Sequence, residues 1–286
     1  MAGLIAARGH GADAGALGIA PKARILPVRY TDSIVGATSR LPEAIRWAAE
    51  HGAGVISMSF GMPDSPELEE AITVAQRADV VLVAAVGNRP NVSAVEYPAA
   101  YPGVIAAAGV DRNGDHAAVS VTGPQVVLSA PAVDIVTTDK RGQTGYRKAT
   151  GTSDATAIIA GAAALVRARF PTLSAAEVVH RLTATARDRG PRGRDEQYGF
   201  GVLDVVAALT ATVPPPTASA IPTAAPTGPA GDATAIPPAR QERLSLGVTL
   251  VGLGCLLLAG GGLAAFLWHR ARRRRAADDA GIGVNT

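Results

Sequence analysis

Short, continuously apolar runs alternating with helix-period segments constrain this chain more than any other feature. The runs fall at residues 24–30 (RILPVRY), 54–59 (GVISMS), 80–86 (VVLVAAV) and 104–110 (VIAAAGV). Between the first three lie two helical patterns. One covers residues 41–51, with Leu41, Ala44, Ile45 and Ala48 on one face, and the other covers residues 67–78. A strand that is apolar on both sides has no face to give to water. The pattern therefore predicts a doubly wound α/β fold, a parallel sheet covered by helices on both faces. Two further helices are expected. Residues 154–170 are apolar nearly all round, so that helix is central and buried. Residues 174–186 open with a capping box from Ser174 to Glu177.

Only residues 1–212 carry this pattern. Residues 213–244 are rich in Pro, Ala and Thr with few large apolar side chains, which predicts an extended, disordered linker. Residues 245–268 are 24 consecutive uncharged, mostly apolar residues. At 1.5 Å per residue such a helix is about 36 Å long, enough to span a hydrocarbon core of about 30 Å. Trp268 stands at its end, and the basic tail 269–286 comes next, with Arg270 and Arg272–Arg275. The positive-inside rule places that tail in the cytoplasm and residues 1–244 outside the cell, as a single-pass membrane protein.

Charge and cysteine content exclude several classes. The net charge of +3 resides in the tail, and the remaining 22 basic and 22 acidic residues cancel, so no nucleic-acid footprint is expected. Cys255 is the only cysteine, which excludes an internal disulfide and a cysteine zinc cluster. No metal or other cofactor is expected. Gly9–Ala14 fits G-x-G-x-x-A, but no strand precedes it. Asp111–Asp115 imitates an EF-hand start, yet His116 stands where glycine is required; a turn at Asn113-Gly114 is expected instead.

Four segments at strand ends or helix starts carry the candidate chemistry. Gly151-Thr152-Ser153 precedes the long buried helix. A serine there has free backbone N–H groups and the positive end of a helix dipole beside its hydroxyl, although Ser or Thr at such a place also serves as an N-cap. Gly87-Asn88 ends the run 80–86, where an Asn amide donates to an oxyanion or simply makes a turn. Ser59-Phe60-Gly61 ends the run 54–59, with backbone groups open to an extended peptide. Gly18-Ile19-Ala20-Pro21 leads into residues 24–30.

In this order, these segments resemble the subtilisin-like serine proteases, the subtilases. Ala2–Ala7 and Gly18–Arg29 are similar to the stretch of that family that begins at the end of its histidine motif, His-Gly-Thr-x-x-Ala-Gly. GVISMSFG resembles its substrate strand, VVLVAAVGN its oxyanion strand and GTSDATAIIAGAAALV its serine helix. The linker, apolar segment and basic tail resemble the membrane-anchored mycosin branch, which accompanies type VII secretion. The resemblance implies a subtilisin-type fold and a serine endopeptidase, acting on extended peptides or secreted proteins outside the cell membrane. It implies Ser153 as nucleophile, Asn88 as oxyanion donor, and Ser59, Phe60, Gly61, Gly151 and Thr152 as substrate-binding residues. Asp154 departs from the family's usual aromatic residue or Met, whereas Ala157 fits the mycosin branch.

The family's triad runs Asp, His, Ser, and Met1 aligns with the residue just before Ala-Gly in the histidine motif, so the histidine would stand upstream of Met1. Both the base and its carboxylate are therefore expected upstream, with this reading frame starting at an internal methionine. The missing signal peptide agrees with that expectation. His10, His51, His116, His180 and His269 are read as solvent-facing or capping residues, not as substitutes. Without a base the serine is a poor nucleophile. The alternative function is a non-catalytic scaffold or binding subunit of a membrane secretion complex.

Overall fold

The computed structural model describes residues 1–10, 14–30, 40–139 and 145–216, which fall within one compact unit, Met1–Pro226. Most of the expected linker, the apolar segment 245–268 and the basic tail lie outside the described residues. Among the described residues no helix is long and apolar enough to cross a membrane.

The sheet consists of β1 (Val55–Met58), β2 (Val81–Ala85), β3 (Ile105–Val110) and β4 (Val126–Pro131), in that order and all parallel. β2 and β3 are buried along their whole length, as apolar runs in the middle of a doubly covered sheet must be. Because successive side chains point to opposite faces, each strand feeds two cores. A short α1 (Ala2–Ala6) reaches one of them through Ile5. Leu82, Ala84, Val86, Ala106 and Ala108 pack with α2 (Leu41–Glu50) and α3 (Pro66–Arg77). Val81, Val83, Ile105 and Ala107 pack with α4 (Thr152–Arg169), α5 (Ala175–Ala184) and α6 (Val205–Thr210). The expected α/β architecture with helices on both faces is present.

α4 runs through the second core, with 11 of its 18 residues buried, which is why its sequence carries no polar stripe. The capping box of α5 is made in full. Ser174 Oγ accepts from Glu177 N at 3.3 Å, and Ser174 N donates to Glu177 Oε2 at 2.8 Å. The Asn113-Gly114 turn forms as expected, with Asp111 N donating to the Asp115 carbonyl oxygen at 2.8 Å. Four elements escaped the sequence patterns: β4, α6, and β5 (Ile135–Thr138) and β6 (Tyr146–Ala149), which pair as an antiparallel hairpin.

One expected strand is not formed. Residues 24–30 lie outside any ladder, and the outer edge of β1 is also without a neighbour among the described residues. Ile25, Leu26 and Val28 are 44%, 42% and 36% exposed. An apolar run becomes a strand only when another strand satisfies its backbone groups. Here the two segments instead line one open groove of about 680 Å³, shared with Ile5, Ile45 and Phe60.

Candidate active site

Ser153 is the second residue of α4, after the N-cap Gly151 and the first helical residue Thr152, so its backbone N–H belongs to the unpaired first turn. Neither Thr152 nor Ser153 caps the helix. Ser153 Oγ instead donates to the Ser59 carbonyl oxygen at 3.0 Å, and Ser59 Oγ donates to the Ser153 carbonyl oxygen at 3.1 Å. This reciprocal pair ties the start of α4 to the segment leaving β1, and brings two sequence-predicted segments together.

Asn88 leaves β2 on the same side. Its Oδ1 accepts from Thr152 N at 2.9 Å and lies 3.2 Å from the Thr152 hydroxyl, which is also 3.3 Å from the Gly87 carbonyl oxygen. Holding Oδ1 in this way fixes the amide plane and leaves Nδ2 without a partner among the described residues. Gly151 lies beside the Asn88 amide, close enough that a Cβ there would be in van der Waals contact with it at 3.4 Å. The result is a serine hydroxyl flanked by a helix-terminal N–H and a held amide donor. Such a set stabilises negative charge developing on an attacked carbonyl oxygen.

Beside the hydroxyl, the backbone of Phe60 and Gly61 has no hydrogen bond among the described residues, leaving it open to pair with an extended chain. The Phe60 ring packs 5.0 Å from Tyr30, at the rim of the groove. All seven predicted site residues thus fall in one neighbourhood.

None of the described histidines is a partner of Ser153. His51 Nδ1 lies 2.8 Å from the Trp47 carbonyl oxygen, and its ring stacks on that indole. His116 packs edge-on against Tyr198, where burial pushes its pKa down. His180 Nε2 lies 3.0 Å from the Pro214 carbonyl oxygen, and His10 packs against Gly15. Asp154 is only 1% exposed and its Oδ1 has no partner. Burial raises its pKa, and nearby Arg147 partly opposes that. Among the described residues no group of three His, Cys, Asp or Glu side chains is placed to hold a metal ion. The sequence patterns missed Glu96, whose side chain lies against both Gly61 and Gly87.

Residues 1–201 match the family model for the subtilases, peptidase family S8. Subtilisin DY from Bacillus licheniformis is 36% identical over 213 residues, covering 73% of this chain and 75% of that protein. Mycosin-1 from Mycobacterium tuberculosis is 33% identical over an alignment of 330 positions, covering 96% of this chain and 72% of that protein. The crystal structure of MycP1 without its N-terminal propeptide superposes with a TM-score of 0.66 at 32% identity, covering 75% of this chain and 79% of that one. Another MycP1 structure is described as an essential component of the type VII (ESX-1) secretion system.

Proposed function

The chain belongs to the subtilase family of serine endopeptidases, and we propose on that premise that Ser153 is its nucleophile. Ser153 Oγ attacks the scissile carbonyl carbon of a bound peptide. Asn88 Nδ2 and the Ser153 backbone N–H donate to the oxygen as it becomes negative. Ser59, Phe60 and Gly61 hold the peptide as an added strand, Gly151 and Thr152 border it as further substrate-binding residues, and the Thr152 N–H keeps the Asn88 amide in place. The observation that carries this reading is the Thr152–Asn88 contact, which points the free end of a held amide away from its anchor, beside a serine at a helix N-terminus.

The attack needs a base to take the Oγ proton, and the reaction runs only where a histidine with an orienting carboxylate reaches Ser153. That requirement also supports a second reading. With Ser153 Oγ donating to a backbone carbonyl and no described histidine at hand, the fold would act as a peptide-binding scaffold. Hydrolysis of an unstructured protein by the full-length protein, compared with Ser153→Ala, decides between them. Abolished hydrolysis in a folded Ser153→Ala variant is expected, a fall of about 10⁶-fold if the magnitude for a subtilisin stripped of its serine transfers. Hydrolysis that survives the change removes Ser153 as nucleophile, and an inactive parent protein favours the scaffold.

The cellular setting is part of the same proposal. Residues 245–268 anchor the enzyme in the cell membrane by a single pass, and the arginine tail keeps residues 1–244 outside. The mycosin-1 alignment supports this, since it extends beyond the catalytic domain. By the same likeness the substrates are secreted proteins, handled beside a type VII secretion complex. Protease added to intact cells is expected to remove residues 1–244 and spare the tail; the reverse pattern would overturn the orientation.

A further inference from the structure

The residue after the proposed nucleophile carries a buried acidic group that the attack does not use. Asp154 is the third residue of α4 and is 1% exposed. Its N–H donates to the Gly151 carbonyl oxygen at 3.0 Å, but its side-chain Oδ1 has no hydrogen-bond partner among the described residues. The elements packed against α4 do little for it. Strands β1 to β4 and helices α1 and α6 carry no charged side chain. α5 carries Glu177, His180 and Arg181, and all three are engaged elsewhere. Glu177 closes the cap with Ser174, His180 meets the Pro214 carbonyl oxygen, and Arg181 donates to the carbonyl oxygens of Ala208 and Ala211. The positive groups in reach are the Met1 amino group, at the start of α1, and Arg147 of β6, and neither bonds to Oδ1. Burial outweighs both and pushes the Asp154 pKa up.

The start of α4 therefore faces two claims. The oxygen that turns negative when Ser153 attacks needs the free N–H there and the positive end of the helix dipole. A carboxylate one residue along draws on the same positive end. With no donor and little solvent to screen it, its charge also repels a second negative charge nearby. A protonated carboxyl does neither. We propose that Asp154 is an electrostatic brake on the attack by Ser153, set while its carboxylate is ionised and released when that carboxylate takes a proton. Asp154 touches no reacting atom; it acts through the charge it places beside the nucleophile. The proposal rests on the assignment of Ser153 and Asn88 to the attack site, and it adds a regulation of that site by acidity.

The test compares the full-length protein with Asp154→Asn and Asp154→Leu, measuring kcat and KM on one uncharged peptide from about pH 4 to about pH 9. All three proteins share the base that serves Ser153, so the ratio of variant to parent isolates Asp154. At neutral pH both variants are expected to exceed the parent in kcat by roughly tenfold, with KM little changed, because the brake acts on the charge of the transition state. The advantage should fade on acidification, as Asp154 in the parent takes its proton. A ratio that does not change with pH, or variants no faster than the parent, would overturn the proposal. A rise in Asp154→Asn that Asp154→Leu does not share would also overturn it, since both remove the charge. Ser153→Ala, run beside them, separates the two claims. Hydrolysis abolished there together with a flat ratio sinks the brake alone, whereas hydrolysis that survives Ser153→Ala, or an inactive parent, sinks the attack site and the brake with it.

Discussion

The two ends of the sheet are both built from β-type sequence and reach opposite outcomes. At β2, β3 and β4 the strands have neighbours, helices lie on both faces, and Val83, Ile105, Leu128 and Ile159 are fully buried. At the β1 edge, residues 24–30 carry Ile25, Leu26 and Val28, yet they make no ladder and leave Leu26 42% exposed. The difference teaches that hydrophobicity proposes a strand but a pairing partner makes one. The proposed catalytic elements obey this division. Ser153 and Asn88 grow from the completed end, whereas the open groove adjoins Phe60, and the one described histidine that lines it, His51, is stacked on Trp47.

The sharpest way to break the comparison is at the completed end. Asn88→Ala leaves the packed strands in place but removes the amide donor. With a magnitude borrowed from a subtilisin oxyanion donor, hydrolysis is expected to fall by about 10²–10³-fold. An unchanged kcat would take Asn88 out of the site. Next in size is a matched pair of truncations read by chemical denaturation. Leu128→Ala, in a fully buried setting, should cost about 3 kcal/mol, whereas Leu26→Ala at the open edge should cost no more than about 0.5 kcal/mol. Equal losses would mean that residues 24–30 are packed in solution, against the exposure of Leu26 in the fold.

The smallest expected effect concerns a buried carboxyl in the packed end, Asp154, whose Oδ1 has no partner among the described residues. Burial raises the Asp154 pKa, so the folded state binds its proton more readily than the unfolded state does. The contribution of that protonated carboxyl is present below the ordinary aspartate pKa and is lost as pH rises through the folded value. Asp154→Asn should therefore stabilise the fold modestly at neutral pH, and the gain should fade on acidification. A gain independent of pH would assign the effect to packing rather than to charge.

Much of the packed end was legible in the sequence because its signals are local. VVLVAAV and VIAAAGV became β2 and β3 within a residue or two, and Ser174 with Glu177 closed the cap that their spacing promised. Gly151-Thr152-Ser153 opened α4 where a helix start was expected. Residues 24–30 misled because a run of side chains carries no information about whether a neighbouring strand is present. The β5–β6 hairpin was missed because its strands have four residues each and are mostly solvent-facing, with too few apolar positions for a period. Glu96 had no local signal at all. Its meaning comes from Gly61, 35 residues away, and nothing in VEYPAAYP announces that contact.

The central claim is that Ser153 is an activated nucleophile held opposite Asn88. The most direct measurement treats the native full-length protein with a fluorophosphonate, which reacts covalently with activated serines, and locates the adduct by peptide mass spectrometry. One adduct is predicted, on Ser153, lost on heat denaturation and greatly slowed in Asn88→Ala. An adduct on another serine, or none on folded native protein, would contradict it.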